Sequence, residues 1–110
     1  MIIERTSFGK VVIDGKSYGD VLIVEGKILE RDWERGSHRV SKGEVKKLLS
    51  GKPDIVIIAT GQDGVLDAND VIAEIGKSAE LVILETPEAI KKFNELSKSK
   101  KVNALIHTTC

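Results

Sequence analysis

Apolar residues along the chain fall into short blocks, and their spacing changes about a third of the way in. The first third reads as β-structure. Lys10-Val11-Val12-Ile13 is short and β-branched, and Asp14-Gly15 follows as a tight-turn pair. Residues 20–24 and 27–29 flank Glu25-Gly26 and read as a second hairpin. A charged segment carrying Trp33 comes next, and Gly36 breaks the pattern.

The remaining two-thirds alternates helix and strand. Ser41 and Glu44 have capping-box spacing, in which each side chain accepts from the other residue's backbone N–H. The helix they open turns Val45, Leu48 and Leu49 to one face, and Gly51 and Pro53 end it. Residues 54–59 are a nearly continuous apolar run, the mark of a strand covered on both faces in a parallel sheet. Asn69 is expected to cap a second helix with Val71, Ile72 and Ile75 inward. Residues 80–84 read as another buried strand. Thr86-Pro87 opens a third helix, with Thr86 as cap and Pro87 at the first helical position. Its apolar face is Ala89, Ile90, Phe93 and Leu96, and residues 102–106 form the last strand. The order is therefore hairpins followed by αβαβαβ, an α/β class with no internal repeat or linker.

Length fits one domain over residues 1–110. Only 4% of residues are aromatic, so the core must be aliphatic. Lys plus Arg balance Asp plus Glu at 17 each, which gives no general attraction to nucleic acid or to an anionic membrane. The Lys-rich third helix is interspersed with Glu88 and Glu95 and reads as a solvated face. The single cysteine, Cys110, excludes a disulfide within the chain. No signal peptide and no bilayer-length apolar run is seen, so a cytoplasmic location is expected. Abundant Lys and Glu with a single Gln suit a heat-adapted source.

Candidate chemistry gathers in two places. Thr60-Gly61-Gln62-Asp63-Gly64 leaves a buried strand, where α/β folds bind ligands and where glycines allow close backbone approach. It matches neither dinucleotide nor P-loop patterns, and Asp63 and Asp67 oppose a phosphate, so a plain strand-to-helix turn is the competing reading. His107 and Cys110 follow the last strand and could pair a thiolate with an imidazole. They supply only two ligands, so no metal and no cofactor are expected. The other histidine, His38, lies in the charged middle segment. Trp33 reads equally as a binding anchor or as cover for one end of the core. No glycosidase carboxylate pair or nucleophile elbow is present.

Three stretches taken together carry a resemblance. They are the Thr60–Gly64 loop, Thr86-Pro87-Glu88-Ala89 with Phe93-Asn94-Glu95-Leu96, and the last strand running into His107-Thr108-Thr109-Cys110. In this order they resemble a small domain family of unknown function with a methanobacterial prototype. That family also includes the human adipogenesis-associated protein and a mitochondrial complex I assembly factor. The resemblance implies three layers around a mixed sheet, with the early hairpins as an extra β-layer. It implies no established reaction, and it singles out Thr86 and Asn94, both of which also have structural readings. Two functions follow as expectations. One is a non-enzymatic domain that binds a protein partner in assembly or regulation, with homodimerisation compatible. The other is an enzyme or small-ligand binder, with a pocket where the 60–64 loop, the start of the third helix at Thr86 and the chain end at His107 converge.

Overall fold

A computed structural model describes residues 1–31, 40–64 and 73–109. Trp33, His38, Asp67, the Asn69 cap with Val71 and Ile72, and Cys110 all lie outside the described residues. Within them the chain is a small mixed α/β domain with two sheets and two helices.

An antiparallel sheet of β1 (Ile3–Ser7), β2 (Lys10–Ile13) and β3 (Lys16–Tyr18) comes first. The larger sheet contains β4 (Val21–Val24), β5 (Lys27–Glu30), β6 (Ile55–Thr60), β7 (Glu80–Leu84) and β8 (Val102–His107). Its order is β5-β4-β8-β6-β7, with β6 parallel to both β7 and β8 and with β4 antiparallel to β8. The two helices are α1 (Lys42–Leu48) and α2 (Thr86–Leu96).

Both hairpin turns follow from their residues. Asp14 and Gly15 have φ of 48° and 83°, and Glu25 and Gly26 have 52° and 74°. Two successive positive φ values match the twist of the flanking strands, and the glycine holds the second at no steric cost. At α1 both capping-box bonds form, Glu44 N to Ser41 Oγ at 3.1 Å and Ser41 N to Glu44 Oε1 at 3.0 Å.

Strand periodicity sorts the core onto two faces of the larger sheet. Ile55, Ile57 and Ala59 of β6 join Ala104 and Ile106 of β8, and pack with Ile3, Val11 and Ile13 of the small sheet and Ala89, Ile90 and Phe93 of α2. On the other face Val56, Ile58 and Leu105 pack with Leu22, Val24, Val45, Leu48 and Ile75.

Two expectations are corrected, and one strand was not foreseen. Residues 80–84 form a strand, but it is an edge of the described sheet, and Ile83 is 48% exposed. An apolar run shows that a strand suits burial, not that neighbours lie on both sides. Ile75 is buried as expected, yet it stands in a 3₁₀ turn, Ile75–Lys77, rather than on an α-helical face. Strand β1 escaped the pattern altogether, because Glu4, Arg5 and Ser7 leave Ile3 as its one buried residue. Among the described residues, no helix is long and apolar enough to cross a membrane, which says nothing of a β-barrel.

Candidate functional site

Because β6, β7 and β8 run parallel, their carboxyl ends share one edge. Thr60, Gly61, Thr86 and His107 meet there. Thr86 and Gly61 exchange two hydrogen bonds: Gly61 N–H donates to Thr86 Oγ1 and Thr86 N–H donates to Gly61 O, both at 2.9 Å. The Thr86 hydroxyl then donates to His107 O at 2.5 Å, and Thr86 is fully buried. Thr86 is therefore not the helix cap. Glu85 holds that position without a side-chain bond, and Thr86 is the first helical residue. Its hydroxyl is turned across the strand ends, joining the loop after β6 to the end of β8. Gly61 has φ of 106°, a backbone that favours glycine and lets this reciprocal pair close.

The rest of the loop extends the same joint. Thr60 Oγ1 donates to Leu84 O at 3.1 Å, tying β6 to β7. Gln62 N donates to Thr109 O at 2.7 Å. The Gln62 side-chain amide donates to Thr6 Oγ1 at 2.9 Å, Ser7 O at 3.3 Å and Thr108 O at 3.2 Å. The Gly61 and Gln62 N–H groups that an anion would need are thus already donated within the chain. Asp63 and Gly64 are exposed.

Asn94 does not join this edge. It lies further along α2, where its amide donates to Ile3 O at 2.7 Å and its carbonyl accepts from Ile3 N at 2.9 Å. The side chain acts as a short strand partner where the β1–β2 register shifts after Ile3.

A second set of residues centres on Asp20, which with Arg31 was not singled out in the sequence. Its Oδ2 accepts from His107 Nδ1 at 2.7 Å and from Arg31 Nη1 at 3.0 Å. Its Oδ1 accepts from Thr108 N and Thr108 Oγ1, both at 2.7 Å. Arg31 also grips Glu44 with two bonds, Nε to Oε2 at 2.6 Å and Nη2 to Oε1 at 3.2 Å. An ionised carboxylate only accepts, so Nδ1 of His107 carries the proton toward Asp20. His107 Nε2 lies 3.2 Å from Thr109 Oγ1. The ring is fully buried.

Asn103, Leu105 and His107 alternate onto one face of β8. Asn103 Nδ2 donates to Leu48 O at 2.7 Å, in the last turn of α1, and to Ser50 O at 3.0 Å just after it. His107, through Asp20 and Arg31, reaches Glu44 in the first turn. The helix is pinned at both ends, with apolar contact between.

Burial by itself would raise both carboxyls, because it penalises the charged form. For Asp20 the hydrogen bonds from His107 and Thr108, with the His107 charge, more than offset this and hold it below the ordinary carboxylate range. For Glu44 the Arg31 hydrogen bonds and charge, with the Ser41 bonds, do the same. A carboxyl lowered on folding stabilises above its unfolded value and loses that contribution as pH falls through the folded one. Acidification from neutral pH through about 4 and below should therefore lower the urea midpoint, and less so in Asp20→Asn. Equal losses in the two proteins would remove Asp20 from the explanation.

Among the described residues, no three His, Cys, Asp or Glu side chains stand where they could hold a metal, and no buried side-chain nitrogen or oxygen lacks a partner.

The whole fold has relatives. A conserved hypothetical protein from Pyrococcus horikoshii, PH1505, is 33% identical with full coverage of both chains and a TM-score of 0.89. A protein titled MT938 is 30% identical over 99% of this chain and 98% of its own, with a TM-score of 0.82. A Bartonella henselae protein described as an outer membrane protein shares the fold at 18% identity, covering 98% of this chain and 94% of its own with a TM-score of 0.80. No curated protein matches. The DUF498/DUF598 family model, described as a protein of unknown function, matches residues 3–107, and the chain belongs to that family.

Proposed function

We propose that this domain works by binding a protein partner, as a non-enzymatic assembly or regulatory factor. The observation that carries the reading is Phe8, 68% exposed on the turn between β1 and β2. That turn is fastened to the strand-end joint: Gly9 N donates to Thr108 O at 2.9 Å, and Gln62 holds Thr6 and Ser7. An aromatic ring on a fixed turn offers contact area with little ordering cost on association. The family resemblance, through its human members, supports assembly or regulatory partners in general, and complex I assembly itself is not carried over to this chain. A homodimer is compatible, since β5 and β7 are edges of the described sheet.

The test is capture from native lysate of the source with wild-type and Phe8→Ser chains that unfold at the same urea concentration. A stoichiometric partner recovered by wild type and lost by Phe8→Ser is expected. Failure to recover a partner, or equal recovery by both chains, would overturn the proposal.

A second reading, an enzyme or ligand site at the strand ends, rests on the Asp20–His107–Thr109 chain, with contacts of 2.7 and 3.2 Å. Its order of carboxylate, imidazole and hydroxyl resembles a nucleophile relay. Against it, Thr60, Gly61, Gln62 and Thr86 are already bonded to one another's segments.

A further inference from the structure

At the opposite end of the parallel strands, a cleft of about 600 Å³ opens beside Pro53 and Val102. That volume suits a single drug-sized molecule. Its apolar lining is Met1 and Ile2, both exposed, with Ile23, Phe93 and Val102, which are buried. Its rim carries Lys98, Lys100 and Lys101, all exposed. Lys91 and Lys92 on α2 stand 4.0 Å from Glu88 and Glu95. Among the described residues, the three rim ammonium groups have no such carboxylate. One carboxylate, Glu25, lines the cleft as well, and it accepts from Ser50 Oγ at 3.2 Å. Three lysines and the Met1 amine against one hydrogen-bonded carboxylate leave the cleft net positive.

We propose that this cleft binds a small organic anion, a carboxylate-bearing molecule with an apolar body. The apolar body would lie against Met1, Ile2 and the edge of Val102, and the carboxylate would face the three lysines. The backbone argues for a small molecule over an extended peptide. The N–H groups of Glu25, Ser50, Ser97, Lys100 and Lys101 are already donated, to Asn103, Lys47 O, Phe93 O, Leu96 O and Asp54. A strand laid into the cleft would find those main-chain donors taken. The site is separate from the strand-end joint and does not depend on the partner-binding reading.

The experiment is an amide NMR titration of the full chain with acetate, hexanoate, octanoate and 1-hexanol, in wild type and in a Lys98→Gln, Lys100→Gln, Lys101→Gln variant. Octanoate should bind saturably, with shifts confined to the cleft, at Ile2, Ile23, Phe93, Asn94 and residues 97–103. Each methylene buried tightens binding by about fourfold, so octanoate should exceed hexanoate by up to about 15-fold. The triple variant should bind octanoate at least about tenfold more weakly, while 1-hexanol should be indifferent to it. The lysines are exposed, so the variant should fold, which its amide spectrum would show. Acetate binding as tightly as octanoate would mean attraction to the lysines alone. That result, shifts that never saturate, shifts outside the cleft, or unchanged octanoate binding by the variant would each overturn the proposal.

Discussion

Asp20→Ala is expected to cost about 3–5 kcal/mol, read from urea unfolding at neutral pH. Ion pairs of this kind add little net stability when formed, because desolvation opposes the attraction. Removing one member is different. The Asp20 side chain is 12% exposed and the Arg31 side chain 4%. Without the carboxylate, His107 Nδ1, Thr108 N and Thr108 Oγ1 lose this acceptor in a largely buried site, and a buried donor left unsatisfied costs about 1–3 kcal/mol. Arg31 keeps Glu44, which limits the loss. Asp20→Asn should fall between, since its carbonyl still accepts while its amide meets donors. A loss below about 1 kcal/mol for Asp20→Ala would show that water replaces the carboxylate and that the network is not structural.

Much of the fold was legible in the chain because local physics decided it. Asp14-Gly15 and Glu25-Gly26 adopt the positive φ values their turns require. Ser41 and Glu44 cap α1, and residues 55–60 are buried along their full length. Edge and centre were not legible: β7 is as apolar as β6, yet it borders the described sheet. The candidate site was legible only in part. Glycine spacing and parallel topology led to Thr60, Gly61, Gln62, Thr86 and His107, which do meet. Asn94 was drawn in by resemblance and belongs to a different joint. Asp20 and Arg31 were missed, because Asp20 acts 87 residues from His107 in sequence and neither has a local motif. The one signal available was Glu44, whose capping carboxylate also serves Arg31.

Thr86→Val should cost about 2–4 kcal/mol, more than loss of a helix cap, which is typically about 1. Valine keeps the shape and β-branching, so packing changes little. What disappears is the hydroxyl. Gly61 N–H loses its acceptor and His107 O loses a donor, in a residue with no exposure. The orphaned Gly61 N–H at about 1–3 kcal/mol, with the donor lost to His107 O adding about 1, gives the range. Thr86→Ser retains the hydroxyl and should lose about 1 kcal/mol or less, from one buried methyl.

Under the proposed function the strand-end residues Gly61, Thr86 and His107 serve as a structural joint. Urea unfolding of Thr86→Val beside Thr86→Ser tests it most directly. A large loss for valine and a small one for serine are expected. Equal, small losses would contradict it: the hydroxyl would then be idle in the fold and open to a role on a substrate.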